Sequence, residues 1–331
     1  MGPSPPSAAP HPEEFQNYIL EESWKQIAER PYIWASWVWN MFDFSNELRM
    51  EGDLTDTNDK GLVTFDRRTR KDAFYFFKAN WSSEPFAHIT GRRYVDRPYP
   101  VVDVKAYSNA PQLELTLNGR TLGETACRQG ICLWRGVMLD TGENRLDVRG
   151  THAGKTVDDA VTWRFDGQPG QYAIRAGTLV GKRANDGRLW GSDVFFNGGK
   201  GNFRDMPSTS RGGEPGPVRE VAGTADQTPY ESWREGAFGY AIPVPNGTYR
   251  VTLHFFEPEA TRRAGERVFS VVAEDGRAET GPIDVVKEAR APMTALTRQL
   301  NVAVADGRLD LTFMPLVGEP ILSGLEVMPQ K

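Results

Sequence analysis

Two hydrophobic periods run along this chain, and the change from one to the other falls near residue 86. Before it, the apolar positions recur at helical spacing. Phe15, Tyr18, Ile19, Trp24, Ile27 and Ala28 form one broad stripe, which predicts a helix over residues 13–29. Pro12 suits a first turn, Glu13 and Glu14 suit the positive end of the helix dipole, and Pro31 ends the pattern. Next comes Tyr32-Ile33-Trp34-Ala35-Ser36-Trp37-Val38-Trp39, an almost wholly apolar run that predicts a strand buried on both faces. It leads into an acidic loop from Glu47 to Asp59, and then to a second predicted helix over about 71–81. Helix, buried strand, loop and helix together make about a quarter of a (β/α) barrel, which cannot close by itself.

From about Phe86 the period is two. Val102, Val104 and Ala106 alternate with polar residues, as do Leu113, Leu115 and Leu117, and Asn118-Gly119 then supplies a hairpin turn. Trp134, Val137, Leu146, Val148, Val161, Trp163 and Phe165 continue the spacing of a small immunoglobulin-type sandwich ending near Asp166-Gly167. Gln168-Pro169-Gly170 reads as a linker to a second β-rich unit, from Tyr172 to Val327, whose clearest strand is Tyr249 to Phe255. The stretch 197–216, rich in Gly, Ser and Pro, reads as a long surface loop. The expected domains are thus a flexible leader over 1–12, a barrel remnant over 13–86, a sandwich over 87–167 and a second sandwich over 168–331. The fold class is mainly β.

Composition narrows the function. A net charge of −5 leaves no basic footprint for nucleic acid. No apolar run approaches the ~20 residues of a membrane helix, so no membrane partner is expected. The first residues have neither a basic start nor an apolar core, so they are not read as a secretory signal, and localisation stays open. The four histidines are scattered away from Cys or carboxylate clusters, so neither a metal nor a cofactor is expected. Cys127 and Cys132 could close a hairpin disulfide; two reduced cysteines are the expectation.

Several stretches together resemble the C-terminal part of family 2 β-galactosidases. They are Arg30-Pro31-Tyr32-Ile33-Trp34, Trp37 to Phe44, Asp59 to Thr64 and Lys71 to Tyr75. The resemblance implies barrel strand eight with its flanking helices, followed by an immunoglobulin-like domain. The last unit resembles malectin-like jelly rolls through Trp190 to Asp193, Ala237 to Tyr240, Tyr249 to Glu257 and Ile321 to Val327. In that family the two catalytic glutamates end barrel strands four and seven, and neither of their motifs occurs in this sequence. What the resemblance does carry over is Trp39, as an aromatic floor for the sugar; core packing is the alternative for this residue and the expectation for Trp34 and Trp37.

Asp43, Glu47, Glu51, Asp53, Asp56 and Asp59 crowd the loop after Trp39. Crowded acids raise one another's pKa, and Asp43 and Glu47, which lie nearest Trp39, are the candidate catalytic carboxylates; a solvated acidic loop is the plainer reading. In the malectin-like unit, Tyr230, Phe238, Tyr240 and Phe256 are candidate sugar contacts, with Glu319 standing in for an acid that this type of binder carries near its end. Phe238 and Tyr240 share a strand face that could equally be core. The expected partner is a carbohydrate, a β-galactoside or a glucan- or galactan-type glycan. Self-association through the partial barrel is also expected, because its apolar strand edge needs cover. Two functions follow: a β-galactosidase-type enzyme with a rebuilt site, or a non-catalytic carbohydrate-binding and scaffolding piece.

Overall fold

A computed structural model describes residues 12–47, 56–203 and 220–330. Glu51, Asp53, the leader before Pro12 and most of the Gly/Ser/Pro-rich stretch lie outside the described residues. The chain is mainly β and divides into two compact units, the first ending at Asp166 and the second beginning at Gly167.

In the first unit, helix α1 (Glu13–Ala28) has its acidic residues in the first turn and Lys25 in the last, as the dipole favours. Helix α2 (Asp72–Trp81) buries Ala73, Phe76 and Phe77. Trp24 and Glu21 are among the side chains that fasten α1. Trp24 Nε1 donates to Asn80 Oδ1 at 3.0 Å, and Glu21 accepts Lys105 Nζ at 2.7 Å together with the Tyr107 hydroxyl. A short pair, β1 (Phe44–Ser45) and β2 (Thr57–Asn58), flanks the acidic loop.

The sandwich consists of two antiparallel sheets. One orders β3 (Ala87–Ile89), β4 (Val101–Ser108) and β7 (Ile131–Met138). The other orders β6 (Arg120–Ala126), β5 (Gln112–Leu117), β8 (Gly142–His152) and β9 (Lys155–Phe165). Strict alternation puts Leu113, Leu115 and Leu117 in the core with Val104, Trp134, Leu146, Val148 and Trp163. Each such side chain contributes roughly 2–3 kcal/mol through burial. The β5–β6 turn places Asn118 at φ 52° and Gly119 at φ 78°, the left-handed pair that a two-residue hairpin needs.

Two expectations are corrected in this unit. Residues 32–39 form no strand, and Trp34 and Trp37 are the most exposed of the large hydrophobic residues described. A buried strand needs neighbours on both edges, and among the described residues none runs beside 32–39. Pairing starts only after Trp39, where Leu62 N donates to Asn40 O at 3.0 Å and Asp43 N to Val63 O at 2.9 Å. The cysteines, expected to be reduced, are joined as Cys127–Cys132. The turn between them folds back through Gln129 and Gly130, both at positive φ, and Arg128 and Ile131 exchange backbone hydrogen bonds. That fold-back brings the two Cα atoms to 4.2 Å.

The second unit is also built of two main sheets. One orders β10 (Tyr172–Arg175), β22 (Gly324–Pro329), β15 (Gly247–Phe255) and β19 (Leu296–Val304). The other orders β13 (Phe196–Phe203), β14 (Ser232–Pro243), β20 (Arg308–Val317), β16 (Val268–Ala273) and β17 (Ala278–Glu279). Strand β18 (Ile283–Asp284) joins β16, and β21 (Ile321–Leu322) joins β14. A hairpin of β11 (Lys182–Arg183) and β12 (Leu189–Trp190) and the short helix α3 (Val285–Ala289) complete it. Tyr249, Val251, Leu253 and Phe255 alternate inward and are buried; Phe255 meets Phe269 of the opposite sheet edge to face at 5.5 Å. Residues 197–203, the start of the predicted surface loop, belong to strand β13.

Candidate carbohydrate sites

After α1 the chain turns at Arg30-Pro31 and runs over the surface of the first unit. Trp34, Trp37 and Trp39 stand 88%, 83% and 72% exposed. Trp34 and Trp37 meet edge to face at 6.3 Å, and Trp39 meets Phe44 likewise at 6.1 Å. Of the three, Trp34 also lines an open surface pocket of about 500 Å³, together with Trp24, Ile27, Pro31, Ile33 and Trp81, among others. Indole faces suit the apolar face of a sugar ring and lose little side-chain entropy on binding. The arrangement can stack a ring or be covered by protein.

The carboxylates next to Trp39 are placed differently from the expectation. Asp43 Oδ1 accepts Gly61 N and Lys71 Nζ, each at 2.8 Å, and Lys71 Nζ also donates to Asp59 O at 2.6 Å. Burial pushes the Asp43 carboxyl above its ordinary range, while the Lys71 ammonium opposes that rise. The ion pair is nearly enclosed, with 6% and 8% of the two side chains exposed. Asp43 therefore holds the 40–43 and 59–71 segments together, and its ammonium partner removes it from the role of a free acid or base. Gly61 permits the contact, since a Cβ there would lie 2.2 Å from Asp43 N. Glu47 is exposed on the loop.

In the second unit the four candidate rings are core, which corrects their reading as exposed sugar contacts. Tyr230, Phe238, Tyr240 and Phe256 are all buried. Phe238 stacks on Phe313 at 4.3 Å, and Phe256 meets Tyr230 and Trp233 edge to face. The hydroxyls are used internally: Tyr240 donates to Asp193 Oδ1 at 2.8 Å, and Tyr230 pairs with His254 Nδ1 at 3.1 Å. Alternation did put Phe238 and Tyr240 on one face, and it is the inward one. Glu319 is exposed, but the contact it makes to Arg267 is through its backbone carbonyl.

Sequence reasoning passed over the buried charges that shape this unit. Arg234 bonds Asp193 at 2.8 Å and lies 3.4 Å over the Phe196 ring. Glu257 accepts Arg267 at 2.7 Å, and Arg267 reaches Glu235 at 2.8 Å. His254 Nε2 pairs with Glu326 at 2.8 Å, and the imidazole together with Arg188 holds the Glu326 carboxyl below its ordinary range despite burial. The available signal was a charge inside an apolar alternation, as at Arg234 and Glu257. The half-buried indole of Trp233, whose Nε1 points to Glu235 at 3.4 Å, is the aromatic these charges leave near the surface.

Comparison with known proteins agrees with this division. The Malectin domain family matches residues 171–320, and a Domain of unknown function (DUF4982) matches residues 100–158. A β-glucuronidase of Bacteroides fragilis is 47% identical over 157 residues, which are 47% of this chain and 22% of the relative. The crystal structure of a Bacteroides uniformis β-glucuronidase superposes with a TM-score of 0.52 at 23% identity, covering 99% of this chain and 41% of that one. The architecture is that of the C-terminal part of a family 2 glycosidase. The same coverage and TM-score hold for the Bacteroides uniformis β-glucuronidase 2 covalently bound to cyclophellitol-6-carboxylate aziridine. The chain spans about a fifth of the curated relative's length. These glycosidase relatives carry the name β-glucuronidase, where the sequence motifs pointed to the β-galactosidase branch.

Proposed function

We propose that this chain is the sugar-facing and scaffolding part of a family 2 β-glycosidase, with β-glucuronides as the first substrate class and β-galactosides as the second. The exposed row Trp34, Trp37 and Trp39 carries this reading. Trp39 serves as the stacking floor, while Trp34 and Trp37 seat against protein that completes the barrel, a second copy of this chain included. A retaining glycosidase needs two carboxyl groups about 5 Å apart. Asp43 is committed to Lys71 and Gly61, so the chain binds without turning over. In the malectin-type unit, Trp233 with Glu235 is the glycan contact.

The test is hydrolysis of 4-nitrophenyl β-D-glucuronide and β-D-galactoside by the 331-residue protein, beside calorimetric titration with the free sugars. The expected result is no turnover, together with binding that Trp39→Ala and Trp233→Ala each weaken. Turnover that disappears in Asp43→Asn or Glu47→Gln would establish a rebuilt active site and overturn the non-catalytic reading. Binding unchanged in both tryptophan variants would remove the sugar contacts proposed here.

A further inference from the structure

The β6–β7 connection leaves one sheet of the first unit's sandwich and enters the other, and the Cys127–Cys132 bridge closes it at its base. The loop it closes does more than turn the chain. Gly130 O accepts Ser108 N at 3.0 Å, and Gln129 O accepts Asn80 Nδ2 at 3.0 Å. Gly130 lies so close to α2 that a Cβ would sit 2.7 Å from Ala79 Cβ. Ile131 and Ala79 pack on the same apolar cluster as Phe76, Phe77 and Trp24. Asn80 is the junction: it donates to Phe76 O and Gln129 O, and its Oδ1 accepts the α1 indole of Trp24. Trp24 in turn meets Trp81 edge to face at 5.5 Å.

We propose that the Cys127–Cys132 disulfide is a redox-controlled clasp that sets how firmly α1 and α2, with the tryptophan row that follows α1, are held on the sandwich. Cys132 is fully buried while Cys127 is only partly buried, so Cys127 is the half of the bridge nearer to solvent. A dithiol reductant attacks Cys127 Sγ through its thiolate, the S–S bond breaks, and Cys132 leaves as a thiolate and takes up a proton. The second thiol of the reductant then resolves the mixed disulfide and releases the Cys127 thiol. Two electrons pass from the dithiol to the bridge, and the reductant leaves as its own disulfide. Without the bridge, the left-handed turn at Gln129 and Gly130 loses its covalent closure and is held only by hydrogen bonds, the Arg128–Ile131 pair and those from Ser108 and Asn80, so the seat of Asn80 loosens. Disulfides persist in oxidising compartments, so the clasp is closed there and opens in reducing surroundings. The inference stands independently of the glycosidase reading.

The experiment is hydrogen exchange on the full chain, oxidised and after treatment with dithiothreitol, with thiol labelling to follow reduction. Cys127→Ser/Cys132→Ser and Asn80→Ala are measured beside it. Faster exchange confined to residues 13–28 and 72–81 is expected on reduction, in the double serine variant, and in Asn80→Ala with the bridge intact. Protection of β5 and β8 should stay unchanged. Three outcomes overturn the proposal: helices that exchange equally in both redox states, β5 and β8 losing protection together with the helices, or a bridge that resists dithiothreitol in the folded protein.

Discussion

Lys71 is the residue on which the segment after Trp39 turns. Its ammonium joins Asp43 to the carbonyl of Asp59 inside a nearly closed site. Removing one member of a buried pair leaves the other uncompensated, at a cost of about 3 kcal/mol. Lys71→Met should therefore lower the stability of the first unit by that order in urea unfolding, and Asp43→Asn should lower it less. Equal stability of Lys71→Met and the parent would show the pair to be dispensable. Glu14 supplies a pH dependence. Burial pushes its carboxyl up to about 8, against the pull of Arg97, and its Oε2 is enclosed without a hydrogen-bond partner. Glu13 and Asp72 add to the rise. A folded-state pKa above the ordinary 4.5 means that the folded protein holds this proton more tightly than the unfolded chain does. The contribution is full below about pH 4.5 and is lost as pH rises toward 8. Glu14→Gln should flatten the fall of melting temperature between pH 5.5 and 8; an unchanged slope would assign that fall to other groups.

Strands whose pairing is local were legible in the sequence, and segments that depend on distant partners were not. Leu113, Leu115 and Leu117 with Asn118-Gly119 specify β5 and its turn by themselves, because alternation and left-handed turn residues are properties of a few adjacent positions. Gly119→Val forces a branched side chain into φ 78° and should cost about 1–2 kcal/mol in urea unfolding, whereas Gly119→Asn should cost less. Residues 32–39 have the composition of a buried strand, yet burial is conferred by neighbours, and composition alone does not supply them. The reverse failure occurred in β14. There the period placed Phe238 and Tyr240 together but could not say that Phe313 closes over them. Sites were less legible than elements for the same reason. Asp43 lies near Trp39 in sequence, but its role is set by Lys71, 28 positions away.

At the scale of the molecule, each unit has its own core: Trp134 and Trp163 among the leucines of the first, and Phe238, Phe255, Phe269 and Phe313 in the second. A unit with its own core folds by itself. Residues 167–331 expressed separately should melt in one cooperative transition with a β-type circular dichroism spectrum; a chain without cooperative melting would show that the boundary at Asp166 is not a folding boundary. The surface run of indoles has one more consequence, an optical one. Of the nine tryptophans, Trp34, Trp37, Trp39 and Trp81 are exposed. Their emission should be red-shifted and quenched by acrylamide, while that of Trp134, Trp163 and Trp190 is shielded. Whatever covers the row, sugar or protein, should shift the emission to the blue and block the quencher, so the chain reports its own occupancy without an added label.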